Sequence, residues 1–173
     1  MTKKRFINTI SNSEKDILQQ FLDILISHKI DYCVVGGLAV NAYVEPVVSL
    51  DLDVVVITEK IDQLKDFAKD VFMIAEFPHS LNFTSAKSDL RIQVQTDPRY
   101  QSFIARAIEK EVLDYAMNVA ALEDVFQGKI WAYSDEERRA SKRQKDLADI
   151  LRMIETYPEL KGLLPESLKN IVS

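Results

Sequence analysis

Two aspartates on one face of an apolar strand constrain this sequence more than any other feature. Over residues 50–57, hydrophobic residues alternate with Asp51, Asp53 and further apolar residues, a pattern that predicts a β-strand. Because side chains two positions apart share a face of a strand, the Asp51 and Asp53 carboxylates point the same way. Two neighbouring carboxylates repel each other unless a cation lies between them, and Mg²⁺ prefers such oxygen ligands. The pair therefore predicts a magnesium site.

A glycine turn precedes this strand, separated from it by the thirteen residues 38–50. Residues 31–35 predict a short strand, Gly36 and Gly37 a turn, and Leu38 the start of a helix. Glycine lets the backbone approach a ligand closely, and the N-terminus of a helix presents free amides to an anion. We therefore expect Gly36, Gly37 and Leu38 to bind the phosphates of a metal-bound nucleoside triphosphate (NTP). The alternative is an ordinary turn followed by a strand with a solvated acidic face.

These motifs resemble those of the nucleotidyltransferase fold of the DNA polymerase β superfamily, in which a strand ending in Gly-Gly or Gly-Ser, a helix, and a strand with Asp-x-Asp follow one another. The sequence is most similar to the AbiEii-type branch of toxin-like minimal nucleotidyltransferases, which adds a downstream lysine and a Lys-Asp-x-x-Asp helix. The matching residues are Lys129 and the segment Lys145-Asp146-Leu147-Ala148-Asp149. The resemblance covers about residues 31–155.

The resemblance implies an enzyme that uses Mg²⁺ to move a nucleoside monophosphate from an NTP to an acceptor hydroxyl, with release of pyrophosphate. It implies that Asp51 and Asp53 bind the metal and that Lys129 neutralises the phosphates. The acceptors in this branch include transfer RNA and protein hydroxyls. Many of its members are toxins, which implies a cognate antitoxin or another partner protein.

Lys129 lies within the apolar stripe of a helix predicted over residues 122–133. In one interpretation its aliphatic stem is buried while its ammonium group reaches water. In the other, the lysine enters an interior cleft and meets the triphosphate, so that Lys129→Met would maintain or raise stability while lowering activity. The resemblance favours the second interpretation.

A further set of charges lies on the helix predicted over residues 138–154. Arg138, Lys142, Lys145 and Asp149 fall on a stripe beside its apolar face. Such a run is commonly a solvated face with salt bridges. The alternative is a basic wall, in which Lys142 and Lys145 contact the triphosphate or a nucleic-acid acceptor while Asp149 binds a metal or orients Lys129.

The third carboxylate that a later strand usually supplies in the superfamily is missing from its expected place. The family register places Gln93 there, and Asp89 is four residues away, about 13 Å at the rise of a strand. Asp146 or Asp149 would supply any further acid. Relatives also commonly carry Arg-x-Thr where this chain has Val47-Val48-Ser49. These departures leave open a second interpretation, a degenerate binding module that keeps the fold and acts through a partner protein.

Local signals predict the remaining elements. A Ser-x-x-Glu capping box at Ser11 predicts the start of the first helix. Residues 60–72 predict an amphipathic helix, and three pieces between residues 73 and 95 predict strands.

The order of elements predicts an α+β fold. A nucleotidyltransferase-like mixed sheet flanked by helices is expected over residues 1–120, and a helical C-terminal part packed on it over residues 121–173. The 173 residues are 47% hydrophobic and 28% charged, as in an ordinary globular protein. A net charge of −5 argues against broad electrostatic adhesion to nucleic acid, and a single cysteine fits a reducing cytoplasm. No apolar run approaches the length of a membrane span, so no membrane partner is expected.

Overall fold

The structure is a computed structural model in which residues 1–172 are described. Its strands are β1 (Tyr32–Val35), β2 (Asp51–Val56), β3 (Met73–Phe77), β4 (Ser80–Ser85), β5 (Ser88–Gln95), β6 (Ile108–Val112) and β7 (Tyr115–Val119). Its α-helices are α1 (Lys3–Ile10), α2 (Ile17–Ser27), α3 (Gly36–Val40), α4 (Ile61–Ala68), α5 (Leu122–Ser134), α6 (Ala140–Thr156) and α7 (Glu166–Val172). Shorter 3-10 helices cover Thr58–Lys60, Pro98–Arg106 and Pro158–Leu163.

All seven strands form one mixed sheet with the order β3-β4-β5-β2-β1-β7-β6. The central strand β2 pairs antiparallel with β1 and parallel with β5. Strand β1 also pairs parallel with β7, while the β3-β4, β4-β5 and β6-β7 pairs are antiparallel. The predicted α+β class, with a mixed sheet flanked by helices, is therefore confirmed.

The hydrophobic core is continuous through the molecule. On one side of the sheet, Phe21 of α2 makes edge-to-face contacts with Phe72 and with Phe83 of β4. Ile150 and Met153 of α6 are completely buried and belong to the same core. Residues on both sides of position 120 thus share one core, and the division of the chain at that position remains a prediction.

The N-terminal region differs from the prediction. Helix α1 precedes Ser11, and the next helix begins at Ile17, where Asp16 accepts a hydrogen bond from the Gln19 amide at 3.0 Å. Ser11 instead closes α1, because its hydroxyl donates to the Ile7 carbonyl at 2.8 Å. The predicted capping box is therefore wrong, since the serine completes the preceding helix.

Within residues 1–172, none of the helices combines the length and the apolar character that crossing a membrane requires.

Candidate functional site

The pairing of β2 with β5 sets the floor of the site. In this parallel pair Asp51 lies opposite Arg91, and Asp53 lies opposite Gln93. Because paired residues of neighbouring strands share a face of the sheet, the two carboxylates, the guanidinium and the amide all point to the same side. The register expected from the family resemblance is present, and a neutral amide occupies the place of the third carboxylate.

Asp89 lies apart from this pair. It is the second residue of β5, four residues before Gln93, and its carboxylate accepts a hydrogen bond from the Asn12 side chain at 2.6 Å. Within residues 1–172, no third Asp, Glu, His or Cys joins Asp51 and Asp53 in a cluster of metal-ligand type. The carboxylates available for a metal are therefore the two strand aspartates.

Gly36 makes room for Asp53. It has a φ of +70°, and a Cβ atom built on it would lie 2.3 Å from Asp53 Oδ2. Both the backbone conformation and the contact disfavour any residue with a β-carbon at this position. From the sequence we expected Gly36 to let a ligand come close to the backbone. In the structure, the space that its missing side chain leaves is occupied by the Asp53 carboxylate.

Asp51 and Asp53 lie in different electrostatic surroundings. Asp51 accepts from Arg91, with Nε and Oδ1 2.9 Å apart, and both side chains are partly exposed. Asp53 has no ion-pair partner among the described residues. Burial has the largest effect on the pKa of Asp53 and raises it. The Lys129 ammonium group lowers this pKa and the Asp51 carboxylate raises it, so that the net shift is upward. Asp53 is thus a half-buried carboxylate that a cation would stabilise in its charged form.

The ammonium group of Lys129 is inside the protein, with the residue only 7% exposed. Its Nζ lies 2.8 Å from Asp149 Oδ2 and 3.0 Å from Asp146 Oδ1. Burial lowers the pKa of Lys129, but Asp149 and Asp146 more than offset this, so the net shift is upward. The lysine is therefore charged at neutral pH, and its ammonium group is held between the two α6 carboxylates.

Each of the two α6 carboxylates is shared between two cations. Asp146 also accepts from Arg138, with Nε and Oδ2 2.7 Å apart, and Asp149 accepts from Arg152 Nη1 at 2.7 Å. Arg152 in turn donates to the Glu45 carbonyl in the loop before β2. This cluster joins α5 to α6 and occupies both carboxylates, which explains why neither is free to replace the missing third acid.

A cavity of about 520 Å³ opens above Asp51 and Asp53. Its lining includes these residues that the sequence placed in the site: Gly37, Asp51, Asp53, Gln93, Lys129, Lys142, Lys145, Asp146 and Asp149. Lys142 and Lys145 have no ion-pair partner in the part of the chain that the structure describes, so they are the cations available to a ligand.

Gly36 and Leu38 lie outside this cavity. Gly36 lines a smaller neighbouring cavity of about 70 Å³ behind Asp53, and the Leu38 side chain is buried in the core. Only backbone groups of Leu38 could therefore contact a phosphate.

Sequence reasoning missed two arginines that interact with the site. Arg91 lies two residues before Gln93, on the face that carries the aspartates, and it pairs with Asp51. Arg152 follows Asp149 by three positions on α6, a spacing at which helical side chains meet. The alternation of β5 and the helical spacing of α6 contained both signals.

Comparisons with known proteins establish the fold. No protein-family profile matches the sequence, and no curated protein sequence matches it. Among solved structures, the antibiotic-resistance factor ANT(2'')-Ia is similar with a TM-score of 0.66 and 13% identity, covering 89% of this chain and 90% of that one. The lincosamide antibiotic adenylyltransferase LnuA has a TM-score of 0.57 and 12% identity, covering 82% of this chain and 99% of its own.

An antigenic nucleotidyltransferase-like protein from Paracoccidioides brasiliensis is also similar, with a TM-score of 0.52 and 19% identity over 89% of this chain and 78% of that chain. At these identities the likeness establishes a common architecture. The chain has a nucleotidyltransferase fold, and its place in the AbiEii-type branch remains a prediction.

Proposed function

We propose that this chain is a Mg²⁺-dependent nucleotidyltransferase that moves a nucleoside monophosphate from an NTP to an acceptor hydroxyl and releases pyrophosphate. One observation supports this above all others. The two aspartates of β2 lie at the floor of a 520 Å³ cavity whose lining also supplies Lys142 and Lys145. The same cavity therefore offers carboxylates that can bind a divalent cation and ammonium groups that can bind phosphates.

The residues present fit a magnesium ion. Mg²⁺ is commonly held by one or two carboxylates together with substrate phosphates and water. Asp51 and Asp53 would hold it, and the side-chain oxygen of Gln93 is a further neutral oxygen on the same face. When bound there, the ion would supply positive charge that offsets the negative charge developing during transfer.

The cations of the cavity would hold the triphosphate. Lys142 and Lys145 supply free positive charge, and the backbone at Gly37 lines the same wall. Lys129 would add a fixed positive charge beside Asp53. Its 2.8 Å contact with Asp149 supports a role for that carboxylate in orienting the lysine, in preference to binding a metal.

The reaction requires positioning and charge stabilisation, with no covalent step on the protein. The acceptor oxygen forms a bond to the α-phosphorus, and the bond from that phosphorus to the bridging oxygen of the β-phosphate breaks. Pyrophosphate leaves with the electron pair.

Structural neighbours support this class of reaction. LnuA is named an adenylyltransferase, and ANT(2'')-Ia has been solved with adenylyl-2''-tobramycin. On the basis of the AbiEii-type resemblance, we extend the proposal to acceptors such as transfer RNA or a protein hydroxyl, and to a toxin held in check by a partner protein. The proximity of Lys129 to Asp146 and Asp149 supports this extension, because the branch carries those residues as its signature.

A specific observation favours one other candidate, a binding module without catalytic activity. Gln93 stands in the place of the third carboxylate, and Arg91 already neutralises Asp51. A site of this kind could bind a nucleotide and present it to a partner protein without transferring it.

Incubation of the protein with each labelled NTP, Mg²⁺ and total RNA separates the two candidates. We expect labelled product with wild type and none with Asp53→Asn. Asp62→Asn is the matched control, because the Asp62 side chain on α4 is 96% exposed and is not part of the cavity lining. Nucleotide binding by wild type without any transfer, to RNA or to protein, would favour the binding module.

A further inference from the structure

A second cavity, of about 430 Å³, shares no lining residue with the candidate site. Its lining comes from the start of α2, the segment that joins α4 to β3, and the β4-β5 turn. The buried side chains of Ile17 and Phe72 form part of its apolar wall. Three lysines also line this space, which we call the lysine cavity: Lys15, Lys69 and Lys87.

The lysine cavity carries an excess of positive charge. Its three lysines are exposed, and none of them has an ion-pair partner in the part of the chain that the structure describes. Asp70 is the one carboxylate residue among the described residues that line it. The chain as a whole has a net charge of −5, so this excess is local. A ligand with several negative charges would therefore complement the lysine cavity.

Strand β3 leads away from the lysine cavity along one edge of the sheet. Its first residue, Met73, lines the cavity. Within residues 1–172, β3 pairs with β4 alone. In an antiparallel pair, the N–H and C=O groups of alternate residues point away from the partner strand. Part of the β3 backbone is therefore free to pair with a further strand beside the cavity.

The two edges of the sheet differ in their protection against such pairing. Strand β6, at the opposite edge, carries the consecutive charged residues Glu109, Lys110 and Glu111. Charged side chains on an edge strand discourage pairing with another chain. Strand β3 carries one charged residue, Glu76, which forms an ion pair with Lys65 of α4. The β3 edge thus lacks the protection that β6 has.

Large apolar side chains are exposed along the same edge. Met73 is 62% exposed and Phe77 is 51% exposed, and Val71, just before the strand, is 43% exposed. Because Met73 and Phe77 are four positions apart on a strand, they share one of its faces. Single exposed apolar residues are common on protein surfaces, whereas a row of them beside an unpaired backbone edge is typical of an interaction surface.

We propose that β3 and the lysine cavity bind an extended segment of a partner protein. The segment pairs with the β3 backbone, packs apolar side chains beside Met73 and Phe77, and places acidic side chains among the lysines. Charge complementarity favours this occupant over a second copy of the chain. The β3 strand of a second copy would bring only Glu76 as a carboxylate, and that residue already pairs with Lys65. The inference is independent of the proposed transfer activity, because the two cavities share no residue.

Synthetic peptides test this surface on the full chain. The probe is a fluorescent peptide in which valine and threonine alternate between two runs of aspartate. One matched peptide carries lysine in place of aspartate, and the other carries N-methyl groups on alternate backbone amides, which removes donors for strand pairing. We expect fluorescence anisotropy to show binding of the acidic peptide, with affinities about tenfold lower or less for both matched peptides. Absence of binding by the acidic peptide, or equal affinity for the acidic and lysine peptides, overturns the proposal.

Charge reversal in the lysine cavity locates the binding. The double variant Lys69→Glu, Lys87→Glu should bind the acidic peptide about tenfold more weakly or worse. The double variant Lys60→Glu, Lys161→Glu is the matched control, because both lysines are exposed and lie outside the cavity lining. Both variants should unfold at the temperature of wild type. Unchanged affinity in the first variant contradicts the proposal.

Two further measurements test other occupants of the same surface. If sedimentation shows that wild type is a dimer and that Met73→Lys is a monomer, the edge binds a second copy of the chain and the proposal is wrong. The same holds for a nucleic acid. If a single-stranded RNA binds more tightly than the acidic peptide and is lost in the Lys69→Glu, Lys87→Glu variant, the lysines bind phosphates of RNA. A monomeric wild type that prefers the acidic peptide to the RNA supports the proposal.

Discussion

At the scale of single residues, the site depends on small groups placed beside charged ones. Gly36 is the clearest case, because the Asp53 carboxylate occupies the space that a β-carbon would need. The sequence predicted both residues as members of one site. It could not predict that they touch, since the contact depends on the register of β1 against β2, where Val35 pairs with Asp53.

The substitution Gly36→Ala tests this contact. We expect it to lower the free energy of unfolding by about 1–3 kcal/mol, because it combines a strained positive φ with a steric overlap at 2.3 Å. It should also weaken magnesium binding by displacing Asp53. Thermal unfolding and calorimetric titration with Mg²⁺ measure the two effects. Gly162→Ala is the matched control, because a Cβ there meets nothing within 4 Å. Equal stability of the two variants would contradict the account of Gly36.

Gln93 is the residue at which this site departs from a three-acid arrangement. Because it lies opposite Asp53 on the same face, Gln93→Asp would add a third carboxylate at the site. We expect tighter Mg²⁺ binding in this variant, measured by calorimetry without nucleotide. Gln63→Asp on α4 serves as the control for added charge. If Gln93→Asp binds magnesium no better than wild type, the binding-module interpretation gains support.

At the scale of elements, the sequence predicted the parts of the site better than their connections. Alternation predicted β2, and helical spacing predicted α5 and α6, because both patterns are local. The ion cluster between α5 and α6 could not be predicted from such local patterns, because it joins residues of two different helices. Whether Lys129 snorkels or is enclosed depends on which helix covers it, and the structure shows α6 there with Asp146 and Asp149.

The same limit applies to the turns and the helix starts. The β6-β7 hairpin turns at Leu113 and Asp114, which have φ values of 53° and 69°. Such a turn commonly carries Asn-Gly or Asp-Gly, so Leu-Asp gave no recognisable hairpin signal. Likewise, the hydroxyl of Ser11 fits the end of one helix as well as the start of another.

The ion cluster changes what Lys129→Met should do. The sequence alone suggested maintained or higher stability, but loss of the ammonium group would leave Asp146 and Asp149 with one cation each. We expect a loss of about 3 kcal/mol in the free energy of unfolding, together with strongly reduced transfer activity. Lys65→Met is the control, because its ion pairs with Asp62 and Glu76 are long and partly exposed. A Lys129→Met protein as stable as wild type would show that the cluster contributes nothing.

At the scale of the whole molecule, the sheet order assembles the site from distant segments. Asp51 and Arg91 are forty positions apart, and Lys129 and Asp146 come from beyond the last strand. Long-range strand pairing is set by the packing of the entire sheet, so residue patterns alone do not determine it. The family resemblance supplied this long-range information where it placed Gln93 beside Asp53. It could not supply the roles of Arg91 and Arg152, because they are not part of the motif.

The cavity also shows why overall charge is a poor guide to the ligand. The chain has a net charge of −5, yet the lining of the cavity includes Lys142 and Lys145, which have no ion-pair partner among the described residues, together with Asp51 and Asp53 of β2. A ligand that combines a divalent cation with a polyphosphate complements both kinds of residue, since the cation suits the carboxylates and the phosphates suit the ammonium groups. This complementarity is the reason why we expect the NTP to bind together with magnesium.

Calorimetric titration of an NTP into wild type, Asp51→Asn and Asp53→Asn, each with Mg²⁺ and with a chelator, tests that claim most directly. We predict that magnesium raises the affinity of wild type for the NTP at least tenfold, that both variants lose this increase, and that all three proteins unfold at similar temperatures. Equal affinity of all three proteins for the NTP, with and without magnesium, would contradict a metal site at Asp51 and Asp53.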